Sequence, residues 1–351
     1  MRRVNIGFPF LSQNVDRGRL PVALLSGFLG SGKTTLVNAL LRDRRMADSA
    51  VAVNEFGAVP LDRDLIDHGA DRTVVLANGC LCCNLAGDMD EAIMRLFSRR
   101  ENNELPRFKR LIIEPSGLSD PAPIAQAILR NPVMSRSLRL EAIVTTVDAV
   151  FATGQLERHP QTRKQIALAD RIVLTKLDIA FTEATDRLRT ALRGLNPVAP
   201  ILDASHGEID AALLFPPGFF DNSVTATRPR SGLFAEAVDP EHLSRITSVS
   251  LCADRPLRWR AFDDWLRGIR LGHAETLLRL KGMLDIEGAV GPVVVQGVHH
   301  VLNAPVVLDA WPQAGSATAG RQSRLVLIAD DATIAAARRS WADALPGIIA
   351  D

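Results

Sequence analysis

The sequence predicts an α/β protein: a mainly parallel sheet with helices on both faces, followed by a smaller α+β unit. Short apolar runs alternate with helical patterns in the first part of the chain, as they do in parallel sheets. A segment rich in Pro, Gly, Ser, Thr and Asn then separates this part from a second one. The length of 351 residues suits two domains of about 100–200 residues each.

The elements of the first part are read from short apolar runs, which are typical of buried strands, and from helical spacing between them. Strands are predicted over 20–26, 50–53, 73–76, 110–113, 142–147 and 171–174. Helices are predicted over 34–41, 88–99 and 121–129.

The second part combines strand-like and helix-like segments in a different order. Strands are predicted over 246–251, 291–300, 304–308 and 325–328, and helices over 259–269 and 332–345. We therefore expect an N-terminal extension at 1–19, a first domain at 20–214, a linker at 215–240 and a C-terminal domain at 241–351.

The overall charge of the chain is balanced, with 41 basic and 40 acidic residues and a net charge of +1. This balance argues against nucleic acid or a membrane surface as a partner. No apolar run reaches the roughly 18–20 residues of a membrane helix, and no secretory signal is recognised. We expect a cytoplasmic protein, in which clustered cysteines indicate metal binding or redox chemistry.

A glycine-rich segment follows the first predicted strand. Residues 27–35 read Gly-Phe-Leu-Gly-Ser-Gly-Lys-Thr-Thr and match G-x-x-x-x-G-K-[ST], a phosphate-binding loop. Main-chain N–H groups of such a loop surround phosphate oxygens, and the next helix adds its positive N-terminus. Lys33 is expected to reach the β- and γ-phosphates, and the Thr34 hydroxyl to ligate Mg²⁺. The expected nucleotide contacts are Gly27, Gly30, Ser31, Gly32, Lys33, Thr34 and Thr35.

A second nucleotide element is predicted at the end of the strand at 110–113. Glu114 can hold the Mg²⁺ ion or its water, which makes it a catalytic candidate beside Lys33 and Thr34. The Gly117 N–H can sense the γ-phosphate, as the switch glycine of a GTPase does. The alternative is an ordinary acidic residue between a strand and a loop.

A third element, Thr175-Lys176-Leu177-Asp178, follows another apolar strand and is similar to the Asn-Lys-x-Asp element of GTPases. Asp178 would accept hydrogen bonds from guanine N1 and N2, and the Lys176 stem would cover the ring. Thr175 stands where Asn is usual, so a pocket that selects ATP or no particular base stays open.

Three of the four cysteines form a Cys-x-Cys-Cys cluster, Cys80, Cys82 and Cys83. The fourth, Cys252, stands alone in a strand-like run and is expected in the core. Thiolates this close together can bind Zn²⁺ or a neighbouring divalent ion when a further ligand is supplied. Glu55 follows a predicted strand and could ligate Mg²⁺ or the cysteine-bound metal. Small buried hydrophobes and a redox pair are the alternatives for the cysteines, and a solvated loop acid is the alternative for Glu55.

Together these motifs resemble the CobW family of metal-handling GTPases. The resemblance extends over about 20–345, including Leu280-Lys281-Gly282 and Gly297-Val298-His299-His300 in the second domain. It implies a slow cytosolic GTPase that uses GTP, GDP and Mg²⁺, binds Zn²⁺ or Co²⁺ at Cys-x-Cys-Cys and delivers the metal to a client protein or cofactor pathway. Ala58 stands where many members have Glu, and no His-rich tract precedes the second domain.

These observations lead to the hypothesis that the affinity for metal differs between the GTP and GDP states, which is reciprocal coupling between two sites. A small-molecule kinase with the same loop and a metal-sensing regulatory module are the competing hypotheses. Expected partners are guanine nucleotide and a client metalloprotein or cofactor-synthesis protein, and homodimerisation stays open.

Overall fold

The computed structural model describes residues 18–46, 48–53, 74–77, 85–215, 246–308, 310–311 and 322–344. The described residues up to 215 belong to one compact unit, and those from 246 onward belong to another. No helix in these ranges is both long and apolar enough to span a membrane.

The first unit alternates strands with helices along most of its length. Its strands are β1 Leu20–Gly27, β2 Ser49–Val53, β3 Val74–Ala77, β4 Arg110–Glu114, β5 Leu138–Asp148, β6 Arg171–Thr175 and β7 Ile201–Asp203. Its helices are α1 Lys33–Arg42, α2 Leu85–Glu101, α3 Ala122–Arg130, α4 Met134–Ser137, α5 Ala152–Arg158, α6 Pro160–Leu168, α7 Thr182–Leu195 and α8 Ala211–Leu214.

The strands form one seven-stranded sheet in the order β3-β2-β4-β1-β5-β6-β7. Every neighbouring pair is parallel, which confirms the predicted sheet. The central strand β1 lies between β4 and β5. Because parallel strands end at the same edge, the loops after β1, β4, β5 and β6 lie close together, where ligands bind in open α/β sheets.

Apolar side chains anchor α1 to the sheet. Leu36, Val37 and Leu40 are almost fully buried, and they share a core cluster with Val144 of β5 and Ile112 of β4. Burial of a leucine or valine side chain contributes roughly 1.5–3 kcal/mol. The first turn of α1 is thereby held firmly at the end of β1.

The second unit contains an antiparallel sheet with helices. Its strands are β8 Thr247–Ala253, β9 Arg279–Leu284, β10 Val293–Val298, β11 Val301–Leu302, β12 Val306–Val307 and β13 Ser323–Ala329, and its helices are α9 Trp259–Gly272 and α10 Asp331–Ala344. The sheet order is β11-β10-β9-β13-β8, and β12 also pairs with β10. Phe262, Trp265 and Trp341 pack the helices onto this sheet, and the α+β prediction is confirmed.

Some details differ from the prediction. β10 ends at Val298, and His299 and His300 form the turn to β11 instead of continuing a strand; His299 has a φ of 51°. Cys252, expected in the core, is only partly buried. Phe215, where the linker was expected to begin, is buried beneath the Arg110 guanidinium, which lies 4.9 Å from its ring centroid.

Candidate functional site

The phosphate loop lies between β1 and α1, as the motif predicts. Gly27 has a φ of 141°, and a Cβ atom there would lie 2.3 Å from Thr146 Oγ1. Only glycine fits this position, because both the backbone angle and the neighbouring strand exclude a side chain. Within the loop, Ser31 N–H donates to the Phe28 carbonyl at 3.1 Å. The loop is therefore a compact turn at the centre of the sheet edge.

Lys33 begins α1 and folds back over the loop. Its Nζ donates to the carbonyl oxygens of Gly27 at 3.0 Å and Phe28 at 3.2 Å. The side chain is buried, so its charge is focused inside the loop instead of being dispersed in solvent. An ammonium group in this position can interact with phosphate oxygens that enter the loop.

Thr34 and Glu114 are brought together from different strand ends. The Thr34 hydroxyl donates to Glu114 Oε1 at 3.2 Å, and Glu114 is 4% exposed. A hydroxyl and a carboxylate are hard oxygen donors of the kind that Mg²⁺ prefers. The oxygen atoms of these two residues are thus suited to bind a magnesium ion beside the phosphate loop.

Gly117 lies directly against the loop. A Cβ atom on Gly117 would be 2.6 Å from the Leu29 nitrogen, so no larger residue fits without moving the main chain. The Gly117 carbonyl accepts a hydrogen bond of 3.0 Å from Gln165 Nε2 of α6. The segment after β4 therefore touches both the phosphate loop and α6.

Thr175 joins the end of β6 to the phosphate loop. Its hydroxyl donates to the Ser31 carbonyl at 2.8 Å and lies 3.3 Å from the Val147 carbonyl. The side chain is buried. A threonine at this position can therefore anchor the loop.

Lys176 is held by a carboxylate that the sequence analysis did not identify. Its φ is 57°, and its Nζ lies 2.7 Å from Oδ2 of Asp148, whose side chain is 2% exposed. Asp148 Oδ1 also accepts the N–H groups of Val150 and Phe151. Asp178 follows on the exposed surface of the same loop. The geometry fixes the Lys176 ammonium and leaves the Asp178 carboxylate accessible to a ligand.

A polar groove of about 420 Å³ runs beside α1. Its lining includes Thr35 and Arg42 of α1 and His206 and Glu208 of the loop after β7. It also includes Asp43, whose pKa is held below its ordinary value mainly by a hydrogen bond from the Arg45 side chain. Thr35, the last residue of the predicted loop motif, thus borders this groove.

The predicted transition-metal ligands lie outside the described residues. These are Cys80, Cys82, Cys83 and Glu55. Within the described ranges, no three His, Cys, Asp or Glu side chains are grouped closely enough to hold a metal ion. The assignment of the metal site thus stays a prediction from the motif.

The structure also brings in residues that the sequence analysis missed. Thr146 shares a 2.7 Å hydrogen bond with Ser31, and the His159 ring stacks on Phe28 with centroids 4.5 Å apart. Asp148 had a usable signal, because it ends a long apolar strand at the ligand-binding edge. Gln165 had none: a single amide within a helix carries no motif.

Both parts of the chain match known protein families. Residues 21–203 match the family described as "CobW/HypB/UreG, nucleotide-binding domain". Residues 246–345 match the family described as "Cobalamin synthesis protein cobW C-terminal domain". The two matches together include most of the chain.

Similar proteins align over nearly the same extent. The chain is 34% identical over 287 residues to the zinc chaperone YjiA of Escherichia coli, covering 81% of this chain and 88% of that protein. It is 28% identical to the zinc chaperone CobW of a Sinorhizobium species, covering 92% and 97%. The crystal structure of Zn(II)-bound YjiA GTPase from E. coli superposes with a TM-score of 0.69, 30% identity, and coverage of 92% and 99%.

Proposed function

The chain belongs to the CobW family of P-loop GTPases, and on that premise we propose that it hydrolyses GTP to drive the delivery of Zn²⁺ to a client protein or cofactor pathway. The observation that carries the nucleotide part is the contact of Thr34 with Glu114 beside a complete phosphate loop. The zinc part rests on the Cys-x-Cys-Cys motif and on the relatives named as zinc chaperones.

The proposed hydrolysis depends on charge stabilisation around the γ-phosphate. Lys33 and the main-chain N–H groups of the loop would bind the phosphates, and Gly117 N–H would face the terminal one. Thr34 and Glu114 would hold Mg²⁺, which supplies charge neutralisation on the phosphate oxygens when bound. None of the motifs places a glutamine to orient the attacking water, so we expect slow intrinsic turnover.

Guanine would be selected at the loop after β6. Asp178 is accessible and can accept hydrogen bonds from the N1–H and N2–H groups of guanine, which adenine does not offer in that arrangement. Lys176 is fixed by Asp148 at 2.7 Å, so its aliphatic stem can cover one face of the base. Thr175 would anchor this element to the phosphate loop.

The metal would be bound by the thiolates of Cys80, Cys82 and Cys83, with Glu55 as a candidate fourth ligand or as a ligand of Mg²⁺. In the sequence, Glu55 follows β2 and the three cysteines follow β3. Zn²⁺ suits thiolate ligands, and Co²⁺ is among the other ions that such a site accepts. We propose that GTP and GDP change the affinity of this site.

The experiment is a titration of Zn²⁺ into the purified protein with GDP or with a non-hydrolysable GTP analogue. The test variant has Cys80, Cys82 and Cys83 all replaced by Ser, and the matched control is Cys252→Ser, which removes a thiol outside the motif. We expect the test variant to lose the tight site and the control to keep it.

Two results would contradict the proposal. Equal Zn²⁺ affinity in the triple variant and the wild type would remove the metal assignment. Equal Zn²⁺ affinity of the wild type in both nucleotide states would remove the coupling and favour a metal-binding module without nucleotide control. The client and the oligomeric state require co-purification with the GTP-bound form.

A further inference from the structure

We propose that Gln165 is a positioning residue that holds the γ-phosphate-sensing segment, residues 114–120, against the phosphate loop. The proposal deepens the nucleotide part of the proposed function and rests on it. It assigns a role in nucleotide discrimination to a helix, α6, that carries no nucleotide motif.

The Gln165 amide acts as a clamp on the main chain. Its Nε2 donates two hydrogen bonds of 3.0 Å, one to the Gly117 carbonyl and one to the Ser119 carbonyl. The residue is 1% exposed, and its main-chain carbonyl accepts a hydrogen bond from the Thr145 hydroxyl of β5. A buried donor with two acceptors in one loop restricts the loop more than a surface contact does, because water cannot replace it.

The clamped segment has little freedom on its other side. Gly117 is packed so closely on Leu29 that an added Cβ would lie 2.6 Å from the Leu29 nitrogen. The Gly117 main chain is thus held between the phosphate loop and the Gln165 amide. Both contacts thus restrict the direction in which the Gly117 N–H can point when a γ-phosphate enters the loop.

Two further contacts tie α6 to the same region. The Lys164 ammonium lies 2.7 Å from Asp120 Oδ2, at the end of the segment. The His159 ring, which precedes the first turn of α6, stacks on Phe28 of the phosphate loop. The Lys164–Asp120 ion pair is partly exposed and contributes little to stability. Gln165 therefore provides most of the restraint on the segment.

The consequence concerns GTP more than GDP. GDP has no γ-phosphate and does not need the Gly117 N–H, whereas GTP does. Because Gln165 already holds the segment in place, GTP binding does not have to supply the free energy of ordering it. Loss of the clamp should therefore lower GTP affinity about tenfold relative to GDP, within the range by which residues outside a site alter coupling.

The test compares two buried amides of the same chemistry. Gln165→Glu replaces the donor with a carboxylate that faces two carbonyl oxygens. The matched control is Asn196→Asp: Asn196 is fully buried and its Nδ2 donates to the carbonyls of Ile166 and Ala169 at the far end of α6. Gln165→Met, which removes the donor without adding charge, guards against misfolding of the first variant.

Affinities for GDP and for a non-hydrolysable GTP analogue are measured for every variant, together with Tm and the kcat and KM of hydrolysis. Both Gln165 variants should shift the GTP/GDP affinity ratio, while Asn196→Asp lowers Tm and leaves the ratio unchanged. A Gln165 variant with lower Tm and an unchanged ratio would reduce Gln165 to a structural role. If the wild type itself binds both nucleotides equally, γ-phosphate sensing fails and this inference fails with it; intact wild-type discrimination with an unchanged Gln165 ratio rejects the inference alone.

Discussion

The Thr175 hydroxyl donates a hydrogen bond of 2.8 Å to the Ser31 carbonyl, so the element expected to recognise the base is fastened to the phosphate loop. Asparagine is usual at this position of the element, and the threonine here makes its main-chain contact through a hydroxyl. The loop expected to bind phosphate and the element expected to bind the base are thus linked through one buried hydroxyl.

Replacement of this hydroxyl tests the link. We expect Thr175→Val to weaken GTP and GDP binding equally, by about tenfold, because a buried carbonyl without its partner costs about 1–3 kcal/mol. Fluorescent-nucleotide titration measures the change. Thr185→Val is the control, since the Thr185 hydroxyl donates within α7 to the Phe181 carbonyl. Unaltered nucleotide affinity of the Thr175 variant would show that the contact is dispensable.

The carboxylate of Glu114 is expected to serve hydrolysis more than binding. Glu114→Gln keeps the shape of the side chain but removes the charge, so we expect hydrolysis to fall about a hundredfold, with partial recovery at raised Mg²⁺. GDP affinity should change little. Steady-state turnover across a Mg²⁺ series measures both effects.

Glu141→Gln is the matched control for this carboxylate. The Glu141 side chain is 5% exposed and pairs with Arg110 at 2.6 Å at the start of β5. This variant should lose stability and keep its turnover. Full activity of Glu114→Gln at all Mg²⁺ concentrations would exclude a role for Glu114 at the metal.

The close packing of Gly117 on the phosphate loop is tested by a single added methyl group. Gly117→Ala should cost about 1–3 kcal/mol in the free energy of unfolding or displace the segment and reduce hydrolysis, because the Leu29 main chain cannot move freely. Gly194→Ala, in open space on α7, should instead gain about 0.5–1 kcal/mol. Urea unfolding measures the effect on stability, and turnover assays measure the effect on hydrolysis. Wild-type stability and turnover of Gly117→Ala would contradict the close packing of Gly117 on Leu29.

Base selection is tested at Asp178, which is accessible in the loop after β6. In Asp178→Asn an amide replaces one carboxylate oxygen, so it can face the carbonyl at position 2 of xanthine in place of the guanine amino group. We expect GDP affinity to fall by about a hundredfold and xanthosine diphosphate affinity to rise, as a site built for specific hydrogen bonds rejects the wrong partner strongly. An equal loss of affinity for GDP and xanthosine diphosphate would indicate that Asp178 acts in folding instead of base selection.

The parts that could be predicted have local signals. The phosphate loop is a motif whose spacing alone fixes Lys33 and Thr34, and the apolar runs before it and before Glu114 mark buried strands. The family matches confirm the resemblance that these motifs indicated. The contact of Thr34 with Glu114 follows once β1 and β4 are known to be parallel neighbours, because both strands then end at the same edge of the sheet.

Other parts depend on tertiary contacts that no local pattern reveals. β9 was not predicted because it contains Arg279 and Lys281, and Arg279 is buried by neighbours from distant strands. The three-residue strand β7 is too short to be read from its sequence. Gln165 and Asp148 acquire their partners only when separate strands and helices come together. The cysteine cluster lies outside the described residues, so its role stays a prediction.

The spacing between His159 and Gln165 limits how this chain can change its length. One residue stacks on the phosphate loop and the other clamps the segment after β4, and α6 alone joins them. One inserted residue would rotate one contact by about 100° relative to the other, since a helical turn contains 3.6 residues. Insertions and deletions between His159 and Gln165 should therefore be rejected, because they would break one of the two contacts.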